Sequence, residues 1–147
     1  VFQNSLYEIG RLWANNIISV AQEHYCTAAT QLIMSQLYTY IFNTEKNGYT
    51  FVSASVSGEL HEIGIRMISD FLEMEGWDTY YLGANMPEDA LISSIKKYNA
   101  DVVGISCTMV YHIDRVKEVI KEIRNTDYLS NVKIMVGGYP FNKQENI

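Results

Sequence analysis

The stretch Ser57-Gly58-Glu59-Leu60-His61-Glu62-Ile63-Gly64 decides how the rest of the chain is read. An apolar, strand-like run, Tyr49 to Val56, leads into it. Beyond it, Ile63, Met67, Phe71 and Met74 recur at helical spacing, and Gly76 supplies a stop. A strand that turns sharply into a helix puts the turn at the carboxyl end of a sheet, where open α/β sheets bind ligands. This turn carries His61, with Glu59 two residues before it and Gly64 three after. A neutral imidazole is a good transition-metal ligand. A carboxylate on its other ring nitrogen would fix the tautomer and raise its basicity. Gly64 would let a large ligand approach the backbone. On composition alone the same residues also fit a surface histidine at a helix start, with Glu59 serving helix amides.

Towards the C-terminus the alternation continues. Trp77 to Leu82 reads as a second strand, closed by Gly83, and Pro87 opens a helix through Ala90, Ile95 and Tyr98. Asp101 to Thr108 is a third strand, and Ile113, Val116, Ile120 and Ile123 mark the next helix. Lys133 to Val136 is a fourth strand, followed at once by Gly137-Gly138. Strands and helices alternating at this length predict a parallel sheet with right-handed crossovers. Strands covered by helices are expected to be apolar on both faces. Ser106 and the Gly137-Gly138 pair then fall at carboxyl ends of strands, on the same edge as His61. Taken singly, a strand-end serine bonds backbone as readily, and paired glycines form a turn.

Towards the N-terminus the pattern is helical. Leu6, Ile9 and Trp13 give one apolar face, and Asn15-Asn16 breaks the helix. Ser19-x-x-Gln22 has capping-box spacing, so a second helix is expected from Ser19 through Ala28, Leu32, Leu37 and Ile41. It should end in the turn chemistry of Asn43 to Gly48. Two such helices cannot bury both apolar faces alone and need further helices or a neighbouring domain.

The totals exclude several classes. With 48% hydrophobic residues in 147, the chain can build one good core. The formal charge is −6 and no basic cluster exceeds Lys96-Lys97, so no nucleic-acid contact is expected from this segment. No apolar run approaches the ~20 residues that cross a bilayer, and no signal peptide opens the chain. A cytoplasmic location is expected, with Cys26 and Cys107 as reduced thiols. Val1 in place of an initiator Met, and an end soon after the fourth strand, are expected marks of a fragment lacking its closing strand and helix.

Glu59-x-His61-x-x-Gly64, Leu82-Gly83, Pro87, Ser106-x-Thr108 and Gly137-Gly138 together resemble the cobalamin-binding domain of the methionine-synthase type over residues 49 to 147. The resemblance implies a Rossmann-like (flavodoxin-like) α/β fold. It implies His61 as the lower cobalt ligand and Glu59 as its partner. Leu60, Glu62, Ile63 and Gly64 would line the cleft, with Ser106, Thr108, Gly137 and Gly138 around the displaced nucleotide tail. Asp is commoner in that family at the position of Glu59. Trp13, nine residues, then Glu23-His24 resembles the W-x9-E-H signature of CarH/LitR-like photoreceptors, where it caps the upper face of adenosylcobalamin. Ala14 departs from the histidine that follows the tryptophan there, which puts a bis-histidine state after photolysis in doubt.

The expected architecture is therefore part of a helical bundle, residues 1–46, over the carboxyl edge of a cobalamin-binding domain, residues 49–147, with the corrin between them. The function implied is a non-enzymatic light sensor. Photolysis of adenosylcobalamin would shift the bundle, the homo-oligomeric state or an attached output domain. The alternatives are a corrinoid methyl carrier of a methyltransferase system, holding methylcobalamin, and a dark cobalamin or redox sensor.

Overall fold

The computed structural model describes residues 1–41 and 44–142. The chain divides into two compact units, Val1–Asn43 and Thr44–Ile147.

The first unit is helical, with α1 (Phe2–Ala14), α2 (Val20–Gln36) and α3 (Tyr38–Ile41). The Asn15 side chain bonds the Arg11 carbonyl at 2.7 Å, and Asn16 takes a left-handed φ of 57°. That conformation, which asparagine tolerates better than most residues, ends α1 where the sequence predicts. The capping box forms as expected. Ser19 Oγ accepts from the Gln22 amide, while the Gln22 side chain accepts from the Ser19 amide at 2.9 Å. α1 and α2 pack on each other, yet no residue of α1 is buried and only Met34 is buried in α2.

One reading of this region is corrected. The second helix does not run unbroken to Ile41: the Leu37 amide bonds Met34, tightening the last turn, and α3 starts afresh. Ala28, Leu32 and Leu37 are exposed, in keeping with the expectation that two such helices cannot bury both apolar faces alone. α2 carries apolar residues on several sides, so periodicity alone does not define the side it buries. Asn43, which opens the expected turn, and Phe42 before it lie outside the described residues.

The second unit alternates β1 (Thr50–Ser55), α4 (Ile63–Met74), β2 (Asp78–Tyr81), α5 (Glu88–Tyr98), β3 (Val102–Ser106), α6 (Ile113–Asn125) and β4 (Lys133–Gly137). The four strands are parallel in the order β2-β1-β3-β4. This is the flavodoxin-like order, and its switch point lies between β1 and β3. α4 stops as its glycine predicts. The Gly76 amide bonds Glu73 and the Trp77 amide bonds Leu72, the paired bonds of a Schellman cap. Pro87 stands one residue earlier than expected. It caps α5 from outside, in extended conformation, and Glu88 and Asp89 form the first turn.

The pleat sorts the central strands into two different faces. Val52, Ala54 and Val56 of the β1 segment join Val103, Ile105 and Cys107 of the β3 segment in the main core. Leu91 and Ile95 of α5 and Val116, Val119 and Ile123 of α6 cover that face. Each of the Val, Leu and Ile side chains among them contributes roughly 1.5–3 kcal/mol when fully buried. The opposite face packs under α4 and is not uniformly apolar, contrary to the expectation from sequence. Phe51 and Ile65 lie there with Ser53, whose hydroxyl bonds Ser69 at 2.7 Å. The edge strands depart further, with Tyr80 and Met135 exposed, because covering helices reach only the two central strands fully.

At its opening end this unit is tied by Lys46, which pairs with buried Glu73 and bonds the Trp77 carbonyl at 2.8 Å. Glu73 also accepts from the Thr79 hydroxyl at 2.8 Å.

Candidate functional site

The carboxyl edge of the sheet brings Ser55, Ser106 and Gly137 into one row, paired in register across β1, β3 and β4. The strands carrying His61, Ser106 and Gly137-Gly138 are thus neighbours, as their joint use at one site requires. Gly138 follows with φ 121°, and a Cβ there would meet the Cys107 carbonyl oxygen at 1.8 Å. Only glycine permits this crossing of β4 past the end of β3. Gly137 differs, since a Cβ on it would meet nothing within 4 Å.

Glu59 is the hub of the site. It is 1% exposed, in the turn after β1. Its Oε1 accepts from the His61 amide at 3.0 Å and from His61 Nδ1 at 2.5 Å. Its Oε2 accepts from the Thr108 and Met109 amides at 2.8 and 2.9 Å, and from His112 Nδ1 at 3.2 Å. Burial pushes this carboxyl up. The bonds from the His61 ring and amide and from the Met109 and Thr108 amides outweigh it and hold the group at about 2, against an ordinary 4.5. Glu59 is therefore an anion at any physiological pH, and it obliges His61 to keep its proton on Nδ1. Among the described residues none bonds Nε2 of His61, and the side chain is 60% exposed.

The loops are pinned from below and beside. Ser55 Oγ donates to the His61 carbonyl at 2.9 Å. Asn85 accepts from the Gly58 amide at 2.7 Å and donates its own amide to the Glu59 carbonyl at 2.8 Å. Glu62 turns away from His61 and holds the Tyr81 hydroxyl at 2.7 Å and the Ala84 amide at 3.1 Å. Thr108 serves through its amide. Leu60 is exposed beside His61, Ile63 is half-buried, and Ser106 is buried. Cys107 donates to the Met109 carbonyl at 3.2 Å. Burial, then the Glu59 charge, push its thiol up to about 11, so it is a packing residue rather than a nucleophile.

Sequence reasoning missed Ser55, Asn85 and His112. His112 had a visible signal, a histidine in the strand-to-helix turn after β3, equivalent in place to His61 after β1. Ser55 and Asn85 had none, because only register and loop geometry bring them to Glu59 and His61.

In the helical unit, Glu23 Oε2 meets His24 Nδ1 at 2.5 Å, and Glu23 Oε1 accepts from Thr27 at 2.9 Å. The His24 side chain is 74% exposed and Trp13 is 48% exposed. Among the described residues no hydrogen bond or ring contact joins Trp13 to this pair.

A doubly wound parallel sheet with an imidazole seated on a buried carboxylate at its switch point defines a Rossmann-like cofactor-binding domain. Residues 49–146 match the B12 binding domain family, and residues 1–38 match a second family of the same description. The chain belongs to the B12-binding family, and its cofactor is of the cobalamin class. It is 29% identical over 135 residues to dimethylamine corrinoid protein 3 of Methanosarcina acetivorans, covering 92% of this chain and 61% of that protein. It is 34% identical over 89 residues to the dimethylamine corrinoid protein of Methanosarcina barkeri, covering 60% of this chain and 42% of that one. The solved monomethylamine corrinoid protein of Methanosarcina barkeri superposes with a TM-score of 0.79 at 19% identity, over 92% of this chain and 65% of that one. The chain thus spans about three-fifths of the first relative's length.

The residues present suit this cofactor. Nε2 of His61 faces outward with its tautomer set. A Cβ on Gly64 or Gly137 would meet nothing within 4 Å, so the backbone on both sides lies open to a wide ligand. Among the described residues no helix is long and apolar enough to cross a membrane.

Proposed function

We propose that this chain is the cobalamin-carrying segment of a methyl-transfer system, bearing the methyl group while partner proteins catalyse its transfer. The observation that carries the reading is the Glu59–His61 pair. A buried carboxylate holds Nδ1 at 2.5 Å and leaves Nε2 as the bare ring nitrogen, the arrangement that a lower cobalt ligand requires. Bound cobalamin would supply a cobalt centre able to accept a methyl group from one partner and give it to another. His61 would hold it from below, and Gly64 would clear its approach. Ser106, Gly137 and Gly138 would border the nucleotide tail. The choice of methyl as the cargo is supported by likeness to dimethylamine corrinoid proteins over both units of the chain. Methyltransferases are the partners proposed on the same ground, and methylcobalamin the working form.

A second reading, the adenosylcobalamin light sensor, is supported by Trp13 and by the Glu23–His24 pair with its exposed histidine, which in that case contact the adenosyl group. Competition binding in the dark separates the two. The carrier reading expects methylcobalamin to bind at least as tightly as adenosylcobalamin, with Trp13→Ala leaving that order unchanged. A clear preference for adenosylcobalamin that Trp13→Ala abolishes, with green light changing the oligomeric state, would sink it. His61→Ala should remove lower-face ligation from the absorption spectrum in either case.

A further inference from the structure

The turn that carries Glu59 and leads to His61 is gripped by a residue of another loop. Glu59 closes the turn by donating its amide to the Val56 carbonyl at 2.9 Å, and Gly58, the third of its four residues, has a φ of 85°. This is type II geometry, in which the third residue takes a positive φ. Its amide points away from the turn and finds no partner inside it. Asn85 Oδ1 accepts from that amide at 2.7 Å. The Asn85 amide then donates to the Glu59 carbonyl at 2.8 Å. One residue between β2 and α5 therefore holds the Gly58–Glu59 segment at both ends.

The residue type suits the place. Asn85 has a left-handed φ of 51°, which asparagine, aspartate and glycine tolerate better than other residues. A backbone amide only donates, so the side chain must present an oxygen to it, which glycine lacks. The loop beneath Asn85 is itself fixed. The Met86 amide bonds the Ser55 carbonyl at 3.0 Å, and the Ser55 amide bonds the Gly83 carbonyl at 3.0 Å. Met86 forms a parallel bridge with Val56, and Pro87 restricts it to extended backbone. What Asn85 grips is thus fixed relative to the end of β1.

We propose that Asn85 is a positioning residue for His61. Its side-chain oxygen sets the Gly58–Glu59 backbone where Oε1 of Glu59 reaches His61 Nδ1, so that Nε2 is aimed before any ligand arrives. Asn85 is exposed. Water can replace its oxygen on the Gly58 amide, so its loss is felt in the aim of His61 more than in unfolding. For its effect on cobalamin the inference rests on the reading of His61 as the lower ligand, whereas the grip on Gly58 is tested without it.

Two measurements test it. The first is the solvent-exchange rate of the Gly58 amide, read by NMR in the cofactor-free chain. It should be slow in the unsubstituted chain and in Asn85→Asp, and about fivefold faster in Asn85→Gly, the effect of one hydrogen bond. An unprotected Gly58 amide in the unsubstituted chain overturns the proposal, whether or not a variant folds. The second is the absorption spectrum of chains reconstituted with methylcobalamin, read as the ratio of histidine-bound to histidine-free cofactor. Asn85→Gly keeps the left-handed backbone without the acceptor and should lower that ratio by about fivefold. Asn85→Asp keeps the acceptor and should stay within about twofold of wild type. A wild-type ratio in Asn85→Gly, or an equal loss in both variants, overturns the proposal, because the side-chain oxygen would then have no part in aiming His61. His61→Ala separates the two readings. If its spectrum matches wild type, the lower-ligand reading fails, while the Gly58 amide still judges the grip.

Discussion

Two glutamate–histidine pairs in this chain share one contact and differ in everything around it. In both, a carboxylate oxygen meets Nδ1 at 2.5 Å. Glu59 is 1% exposed and has three further donors on its second oxygen. Glu23 is half-buried on α2 at 25% exposure, with Thr27 on its second oxygen, beside a histidine that is 74% exposed. Water competes for the second pair and is excluded from the carboxylate of the first. The same two residue types therefore make a fixed tautomer and a committed negative charge in one place, and a solvated polar contact in the other. Distance alone does not tell them apart; burial and the number of remaining donors do.

The largest expected effect breaks the buried pair. Glu59→Gln replaces an acceptor-only group by one with two donors, which face either the amides of Thr108 and Met109 with the His112 ring, or the amide and ring of His61. Leaving such donors unmatched in the interior should cost on the order of 3 kcal/mol, read from the denaturation midpoint. A loss below about 1 kcal/mol would show that water reaches the site and that the contrast with Glu23 is overstated.

The pH dependence follows with its sign. The folded-state value of Glu59 is about 2, below its ordinary 4.5. A depressed carboxyl contributes stability that is fully present above 4.5 and is lost as pH falls towards 2. Titration of stability through that window should show the wild type losing on the order of 3 kcal/mol that Glu59→Gln does not lose. Equal acid profiles would refute the assignment to Glu59.

Smaller effects sharpen the helical side. Ser19→Ala removes the capping box that opens α2 and should cost about 1 kcal/mol, visible as reduced helicity by circular dichroism. Glu23→Gln should change stability by less than about 0.5 kcal/mol, as expected of a pair whose histidine lies in solvent. A larger loss would mean that this pair, too, is held in a dry setting.

Much of the fold was legible because it is encoded locally. The alternation of periods, the glycine after α4, the capping box at Ser19 and the break at Asn15-Asn16 depend on residues within a few positions of one another. The Glu59–His61 dyad was legible for the same reason, since a spacing of two within one turn already brings the groups together. The side that α2 buries was not legible, because apolar residues on several sides leave the choice to whatever packs against it. The serine-bearing face under α4 was masked by strand residues that read as apolar overall.

By itself, then, the sequence determined the parallel α/β class and the pairing of Glu59 with His61, and it made the carboxyl edge the candidate site. It also carried the resemblance to cobalamin-binding domains that the family match bears out. Only the tertiary structure decided what surrounds that pair. The order β2-β1-β3-β4 sets the turn after β1 beside the turn after β3. That neighbourhood brings two amides and His112, some fifty positions away, onto Glu59. The hydrogen bonds that make Glu59 a lasting anion close across strands rather than along the chain, and no spacing within a single segment could have declared them.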